Sequence, residues 1–383
     1  MEPYQLNIPT RVYFGRDIWR EAVKSLENYF CGNIMIVTTG RSLTRLGYVG
    51  ELAERIKKCP LAEHVTVFDS VSANPRLSEI RKGIQTGKEK QIHVIVGFGG
   101  GSAIDGAKAM AAGIGTDEDI GDLFYGEKTP GKATLPVIAI PTTAGTGSEL
   151  SKAAIITDEE KQKKGGIRGE MLYPKAAIVD SIFTDTMPFR GTMETGFDVF
   201  AHGMESYLSL AGSPYTNIQS EYGIRIVGKY LPRLAKNLED KEARDKLSFV
   251  SMIMGINLGN ASTCLPHRLQ YPLGAHTDTS HGTGLAALFT AWVSCEHEYA
   301  PDKVERGISL LCGQEVRGSK ACTEEVCCFI EKLGLPICLK EMGVNRELLE
   351  IMASEVTGSI KNDPAAQDNG IIMKLYTMSF SRN

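Results

Sequence analysis

Residues His93 to Gly113 read HVIVGFGGGSAIDGAKAMAAG. The segment from His93 to Phe98 is short, apolar and β-branched, and it stops at Gly99-Gly100-Gly101. That pattern is a buried strand ending in a glycine turn. The alanine-rich run after Ser102 is a helix former. A strand–turn–helix junction of this kind aims free backbone N–H groups and the positive end of a helix dipole at one place, which suits a pyrophosphate. A glycine turn without a ligand would look the same. The spacing is not G-x-G-x-x-G, so a standard Rossmann unit is not implied.

Outward from this junction the same alternation continues. Strands are expected at Val12–Gly15, Asn33–Thr39, His64–Asp69 and Leu135–Thr143, and helices at Ile18–Tyr29, Leu43–Cys59 and Leu77–Gly87. Strands alternating with helices mean βαβ units and a parallel sheet covered on both faces. The charged run Asp158–Lys164 reads as a hairpin tip. After about Pro188 the strand-like runs vanish. Helical patterns take over at 192–211, 214–238, 240–262, 281–298, 301–312, 319–334 and 345–356. The expected organisation is an α/β nucleotide-binding domain over 1–188 and an all-helical metal-binding domain over 189–383.

The helical half carries the chemistry. In TGFDVFAHG (Thr195–Gly203), Asp198 and His202 are four residues apart with no breaker between them, so both lie on one helix face. His267 and His281 follow in PHRLQYPLGAHTDTSHG, where Pro272 and Gly274 divide them between two helices. One carboxylate and three imidazoles suit Fe(II), Zn(II), Co(II) or Ni(II), and ligand type alone does not choose among them. An isolated Asp-x-x-x-His is more often a surface pair or a satisfied core histidine.

Composition narrows the class. The 383 residues carry a net charge of −4, without the basic excess of a nucleic-acid surface. No apolar run reaches the ~18 residues of a spanning helix, and the N-terminus has no signal-peptide pattern, so a cytoplasmic, membrane-free protein is expected. The nine cysteines are not spaced as a zinc framework and read as reduced thiols.

Taken together, VGFGGGSAIDGAKAMAA, PTTAGTGSELS, the Asp198/His202 pair and the His267/His281 pair resemble, in order and over nearly the whole chain, the iron-containing (group III) alcohol dehydrogenases. That family is related to glycerol dehydrogenase and dehydroquinate synthase. The resemblance implies the dehydroquinate synthase-like fold and a divalent metal, Fe(II) ahead of Zn(II), on Asp198, His202, His267 and His281. It also implies a nicotinamide cofactor, a small aldehyde or alcohol substrate, and a homodimer or larger oligomer. Gly99, Gly100, Gly101, Ser102, Asp105 and Lys108 match the family's GGGSxxDxxK. By the same resemblance Thr142, Thr143 and Thr146 line the cofactor's phosphate and ribose, and Lys164 reaches the nicotinamide ribose.

Two departures matter. NAD-preferring relatives place an acid after the second strand, whereas this chain has Gly40 and Arg41. An arginine there can pair with a 2′-phosphate, so NADP(H) is expected ahead of NAD(H). The family's HxxxH is here His267-Arg-Leu-Gln-Tyr271. Arg268 beside a ligand, with Arg168 on the face of an extended segment shared with Lys164, suits an anionic substrate. A structural salt bridge is the plain alternative. HRLQYP and Asn362–Pro364 resemble the phosphonoacetaldehyde reductase subgroup. The competing expectations are a dehydrogenase for a neutral short-chain alcohol or polyol, a dehydroquinate-synthase-like lyase, and a non-catalytic metal- or nucleotide-binding oligomer.

Overall fold

Asn33–Val37 (NIMIV) shows how the first part of the chain is built. Ile34 and Ile36 are fully buried in one apolar cluster, Met35 and Val37 in another. A strand whose successive side chains are buried on opposite faces belongs to the middle of a sheet covered on both sides. A computed structural model of the chain describes residues 3–381. These fall into two units. One comprises Ile8–Thr143 and Gly147–Thr184; the other comprises the residues through Asn7, Ala144–Thr146, and Asp185 onward.

The α/β unit contains β1 (Arg11–Gly15), β2 (Gly32–Thr39), β3 (Ala62–Val71), β4 (Ile92–Gly99), β5 (Val137–Pro141), β6 (Ala153–Asp158), β7 (Lys163–Arg168) and β8 (Ala176–Asp180). Among the described residues, six of these strands form a parallel sheet in the order β1-β8-β5-β4-β2-β3. β6 and β7 form a separate antiparallel hairpin whose tip lies in the charged run. The helices are α1 (Trp19–Ser25), α2 (Ser42–Arg45), α3 (Tyr48–Lys57), α4 (Leu77–Glu89), α5 (Gly101–Ile114) and α6 (Ile120–Phe124). α1 and α3 cover one sheet face with Trp19, Val23, Leu52 and Ile56. α4 and α5 cover the other with Leu77, Ile80, Ala107 and Met110. The buried Asp180, at the end of β8, accepts the N–H groups of Asp17, Ile18 and Trp19 at 2.9, 2.7 and 2.9 Å and so fixes the start of α1.

The helical unit runs α7 (Phe189–Leu208), α8 (Pro214–Lys236), α9 (Lys241–Asn260), α10 (Leu265–Thr277), α11 (His281–Tyr299), α12 (Pro301–Cys312), α13 (Ser319–Lys332), α14 (Arg346–Ser354) and α15 (Ile371–Phe380). Phe197 and Phe200 of α7 meet Phe289 of α11 at ring-centroid separations of 5.4 and 5.2 Å. Trp292 and Phe329 extend the aromatic cluster. No helix among the described residues is long and apolar enough to cross a membrane. All nine cysteines are free thiols, and only Cys31 and Cys328 are exposed.

Two expectations need correction, and two elements, β8 and α15, were not expected at all. The segment Leu43–Cys59 is two helices, because Gly47 takes φ +80° between them. β8 is Ala-rich (AAIVD) and lacks the β-branched signature that marks the other strands. α15 (IIMKLYTMSF) is apolar on nearly every side and shows no helical period. Pro272 and Gly274 do not end α10, which runs through both. The break comes at Asp278, which adopts a left-handed conformation (φ +50°). A proline inside a helix removes one N–H and can be absorbed where surrounding packing holds the segment, and Leu265–Gly274 are all buried.

Candidate metal centre and nucleotide-binding edge

Asp198 and His202 lie one turn apart on α7, and both are buried. The aromatic packing of α7 on α11 brings His281, the first residue of α11, to the same place. The approach is close enough that a Cβ on Gly282 would lie 2.3 Å from the Glu194 carbonyl oxygen, so no larger residue fits there. α10 supplies His267. Asp198 Oδ1 then has three imidazole Nε2 atoms around it: His267 at 3.4 Å, His202 at 3.5 Å and His281 at 3.6 Å. His202 Nε2 and His267 Nε2 are 2.9 Å apart. Ligands held about 2.1 Å from one ion at tetrahedral angles sit about 3.4 Å from each other. Asp198, His267 and His281 alone form a group able to hold a metal.

The Nδ1 atoms of His267 and His281 are occupied by partners that the sequence reading missed. His267 Nδ1 lies 2.6 Å from Glu205 Oε1, and His281 Nδ1 lies 2.6 Å from Gln270 Oε1. Both partners are completely buried. With Nδ1–H donated to these oxygens, each Nε2 faces the cluster and is the atom that would offer a lone pair to an ion. Glu205 was findable: it follows Asp198 at i+7 and His202 at i+3 on the same helix face. Gln270 has no such signal.

The electrostatics call for a cation. Burial alone would raise the pKa of Asp198, but the imidazoles of His202, His281 and His267 outweigh it and hold the carboxyl well below the usual range. Burial lowers His202, with Asp198 opposing. At His267 burial also works downward, yet Glu205 and Asp198 lift the ring to about 10. Two buried acids thus favour the cationic form of His267 when no ion is bound, and a divalent ion that displaces that proton fits the donor set.

Arg268 does not join this cluster. Its buried guanidinium donates to the Ser359 carbonyl at 3.1 Å, the Tyr271 hydroxyl at 3.3 Å and the Ser262 hydroxyl at 3.5 Å. Among the described residues it pairs with no carboxylate.

In the α/β unit, the nucleotide candidates gather at the carboxyl edge of the parallel sheet. Gly99–Ser102 follow β4, Gly40 and Arg41 follow β2, and Thr142 and Thr143 follow β5. These three strands are neighbours in the order β2-β4-β5. Ligands of open α/β sheets bind outside this edge. The Thr142 N–H donates to the Gly99 carbonyl at 2.9 Å, tying two of the loops together. Arg41 is exposed just ahead of α2. Lys164 is buried and donates to Asn74 Oδ1 at 2.7 Å. Arg168 is exposed and bonds the Gly166 carbonyl of its own strand, so it shares strand parity with Lys164 but not its burial. Asp105 and Lys108 turn into the fold. Asp105 accepts from the Ser148 hydroxyl and from the Ile155 N–H. Lys108, fully buried, donates to the carbonyls of Ser148, Ser151 and Ala153. Thr146 belongs to the stretch grouped with the helical unit, not with these loops.

Residues 9–181 match the family described as "Iron-containing alcohol dehydrogenase", and residues 192–380 match "Fe-containing alcohol dehydrogenase family, C-terminal". The chain is 30% identical over 374 residues to NADH-dependent butanol dehydrogenase A of Clostridium acetobutylicum, covering 93% of each. It is 30% identical over 347 residues to alcohol dehydrogenase 4 of Saccharomyces cerevisiae, covering 90% of each. The solved NADH-dependent butanol dehydrogenase A of Thermotoga maritima superposes with a TM-score of 0.89 at 26% identity, over 100% of this chain and 99% of that one.

Proposed function

The chain belongs to the iron-containing alcohol dehydrogenase family and is an oxidoreductase acting on CH–OH groups; from that premise we propose that it is a metal-dependent, NAD(P)H-linked reductase of a small aldehyde. The observation that carries this reading is the convergence of three imidazole nitrogens on Asp198 Oδ1 at 3.4–3.6 Å. Asp198, His202, His267 and His281 would hold one divalent ion, Fe(II) by preference and Zn(II) as the alternative. Such an ion polarises a carbonyl oxygen as a Lewis acid, and the nicotinamide supplies the hydride. The protein's part is orientation. Glu205 and Gln270 orient the rings of His267 and His281, and the Gly99–Ser102 turn at the start of α5 would hold the pyrophosphate on backbone N–H groups.

Two finer assignments rest on arginines. Gly40 and Arg41, in place of an acid after β2, support NADP(H) over NAD(H). Arg268, buried without a carboxylate partner, supports an anionic tail on the substrate, with phosphonoacetaldehyde as first candidate and 2-hydroxyethylphosphonate as its product. A neutral short-chain aldehyde is the second reading, favoured by the butanol dehydrogenases among the relatives. The deciding experiment follows NADPH and NADH oxidation over a panel of small aldehydes, half of them anionic, with Fe(II), with Zn(II) and after metal stripping. Metal-dependent consumption of reduced cofactor is expected. Turnover unaffected by stripping, or none on any aldehyde, overturns the proposal.

A further inference from the structure

A second group of buried acids lies outside the cluster of Asp198 and the histidines. Glu296 of α11 and Asp363 are 0% and 1% exposed, and their carboxyl groups meet at one shared donor, the Ala365 N–H. Two ionised carboxylates in contact and out of water repel strongly, so such a pair keeps one proton between them. The donors identify its holder. Asp363 Oδ2 accepts the Leu265 N–H at 2.8 Å and the Trp292 indole N–H at 3.0 Å, and Oδ1 accepts the Ala365 N–H at 3.0 Å. Glu296 Oε1 shares the Ala365 N–H at the longer distance of 3.3 Å, its carboxyl also feels the Trp292 indole that Asp363 holds, and its Oε2 is buried without a hydrogen-bond partner. Asp363 is therefore solvated by three donors as an anion, and Glu296 carries the proton. Burial, then Asp363, push the Glu296 carboxyl far up, in agreement.

The pair sits under the start of α10. Leu265, whose N–H Asp363 holds, is the first residue of that helix and stands two residues before His267. The preceding N–H, of Cys264, goes to Glu205 Oε2 at 2.7 Å, and Glu205 Oε1 is the partner of His267 Nδ1. The Asn362 carbonyl takes the Leu210 N–H at 2.8 Å just past the end of α7. The Ser359 carbonyl takes Arg268 Nε. One short segment, 359–365, thus ties down the turn of α10 that bears His267.

We propose that the Glu296–Asp363 pair positions His267: Glu296 lends its proton so that Asp363 can place one negative charge, and only one, against the N-terminus of α10 and set how far His267 reaches toward Asp198 and His202. Neither acid touches the ion or substrate; both act through the helix. The inference rests on the metal assignment above.

The test is Co(II) titration of the metal-stripped full chain, read by the visible absorption of the bound ion and by its dissociation constant, with nucleotide binding followed in parallel. Glu296→Leu removes the shared proton's donor. It should weaken Co(II) tenfold or more, the scale of lost support behind a ligand, and alter the absorption bands, with nucleotide binding unchanged. Glu296→Gln keeps an N–H for Asp363 and an oxygen for Ala365, so it should stay within about threefold of the parent, well short of a lost partner. If Glu296→Leu does not fold, Trp292→Phe removes one indole donor from the pair, chiefly from Asp363, and must still weaken Co(II) and shift its bands. Parent-like Co(II) binding in Glu296→Leu overturns the proposal, as does an equal loss in Glu296→Gln, or no change in Trp292→Phe. If the parent itself binds no Co(II), it is the metal assignment that has failed.

Discussion

Glu205 Oε1 lies 2.6 Å from His267 Nδ1, and its other oxygen accepts the Cys264 N–H. One buried carboxylate therefore fixes both the ring of a candidate ligand and the backbone that carries it. Glu205→Gln keeps an acceptor but removes the charge and leaves an amide N–H where Cys264 needs an oxygen. Metal affinity should fall roughly ten- to a hundredfold, measured by competition with a chromophoric chelator.

Asp198→Ala and His281→Ala remove the oxygen at the centre of the cluster and one of the imidazoles around it. Each variant should lose bound metal and turnover while retaining nucleotide binding. Elemental analysis and a nicotinamide-fluorescence titration check the two halves of this expectation. Activity that survives metal stripping in either variant rules out the assigned ligands.

The α/β half of the site is tested by Arg41→Ala. Only NADPH has a 2′-phosphate for the guanidinium to meet, and a hydrogen bond to a charged group contributes about 1.5–3 kcal/mol. The KM for NADPH should rise about tenfold or more at about 1.4 kcal/mol per tenfold, with NADH nearly unchanged. Equal losses for both cofactors show that Arg41 does not discriminate.

Arg268→Leu separates the two substrate readings. For an anionic aldehyde kcat/KM should drop roughly ten- to a hundredfold on the same scale, while propanal is used nearly as before. Because His267 is adjacent, damage to the metal cluster would depress both substrates together, and that result makes Arg268 structural.

Away from the site, Asp180→Ala leaves the N–H groups of Asp17, Ile18 and Trp19 without their acceptor. Urea unfolding should show a loss of about 2–4 kcal/mol, the scale of removing hydrogen bonds to a buried charge. Asp180→Asn, which can still accept, should lose less.

The parts of the fold legible in the sequence are those with a local period. β2 and β4 announce themselves as β-branched runs, and α7 brings Asp198 and His202 together by spacing alone. β8 and α15 do not, because AAIVD lacks β-branching at its start and IIMKLYTMSF is apolar all round. The division of His267 and His281 between two helices is readable, but its cause is not: the chain breaks at Asp278 and passes through Pro272, since burial of α10 overrides the proline's local preference. Gln270 and the Glu296–Asp363 pair are invisible in one dimension. Their partners lie 11 and 67 residues away or are set by helix packing, which no short window contains. Asp105 and Lys108 show the converse. Their motif is plain in the sequence, yet their side chains spend their polar atoms on the segment Ser148–Ile155 inside the fold.

The distribution of thiols has a practical consequence. Of nine cysteines only Cys31 and Cys328 are exposed, and they fall in different units of the chain. Maleimide dyes can therefore be installed on the unaltered protein, one exposed thiol per unit. Each dye then reports on its own unit as nucleotide and aldehyde are added, without a single engineered residue.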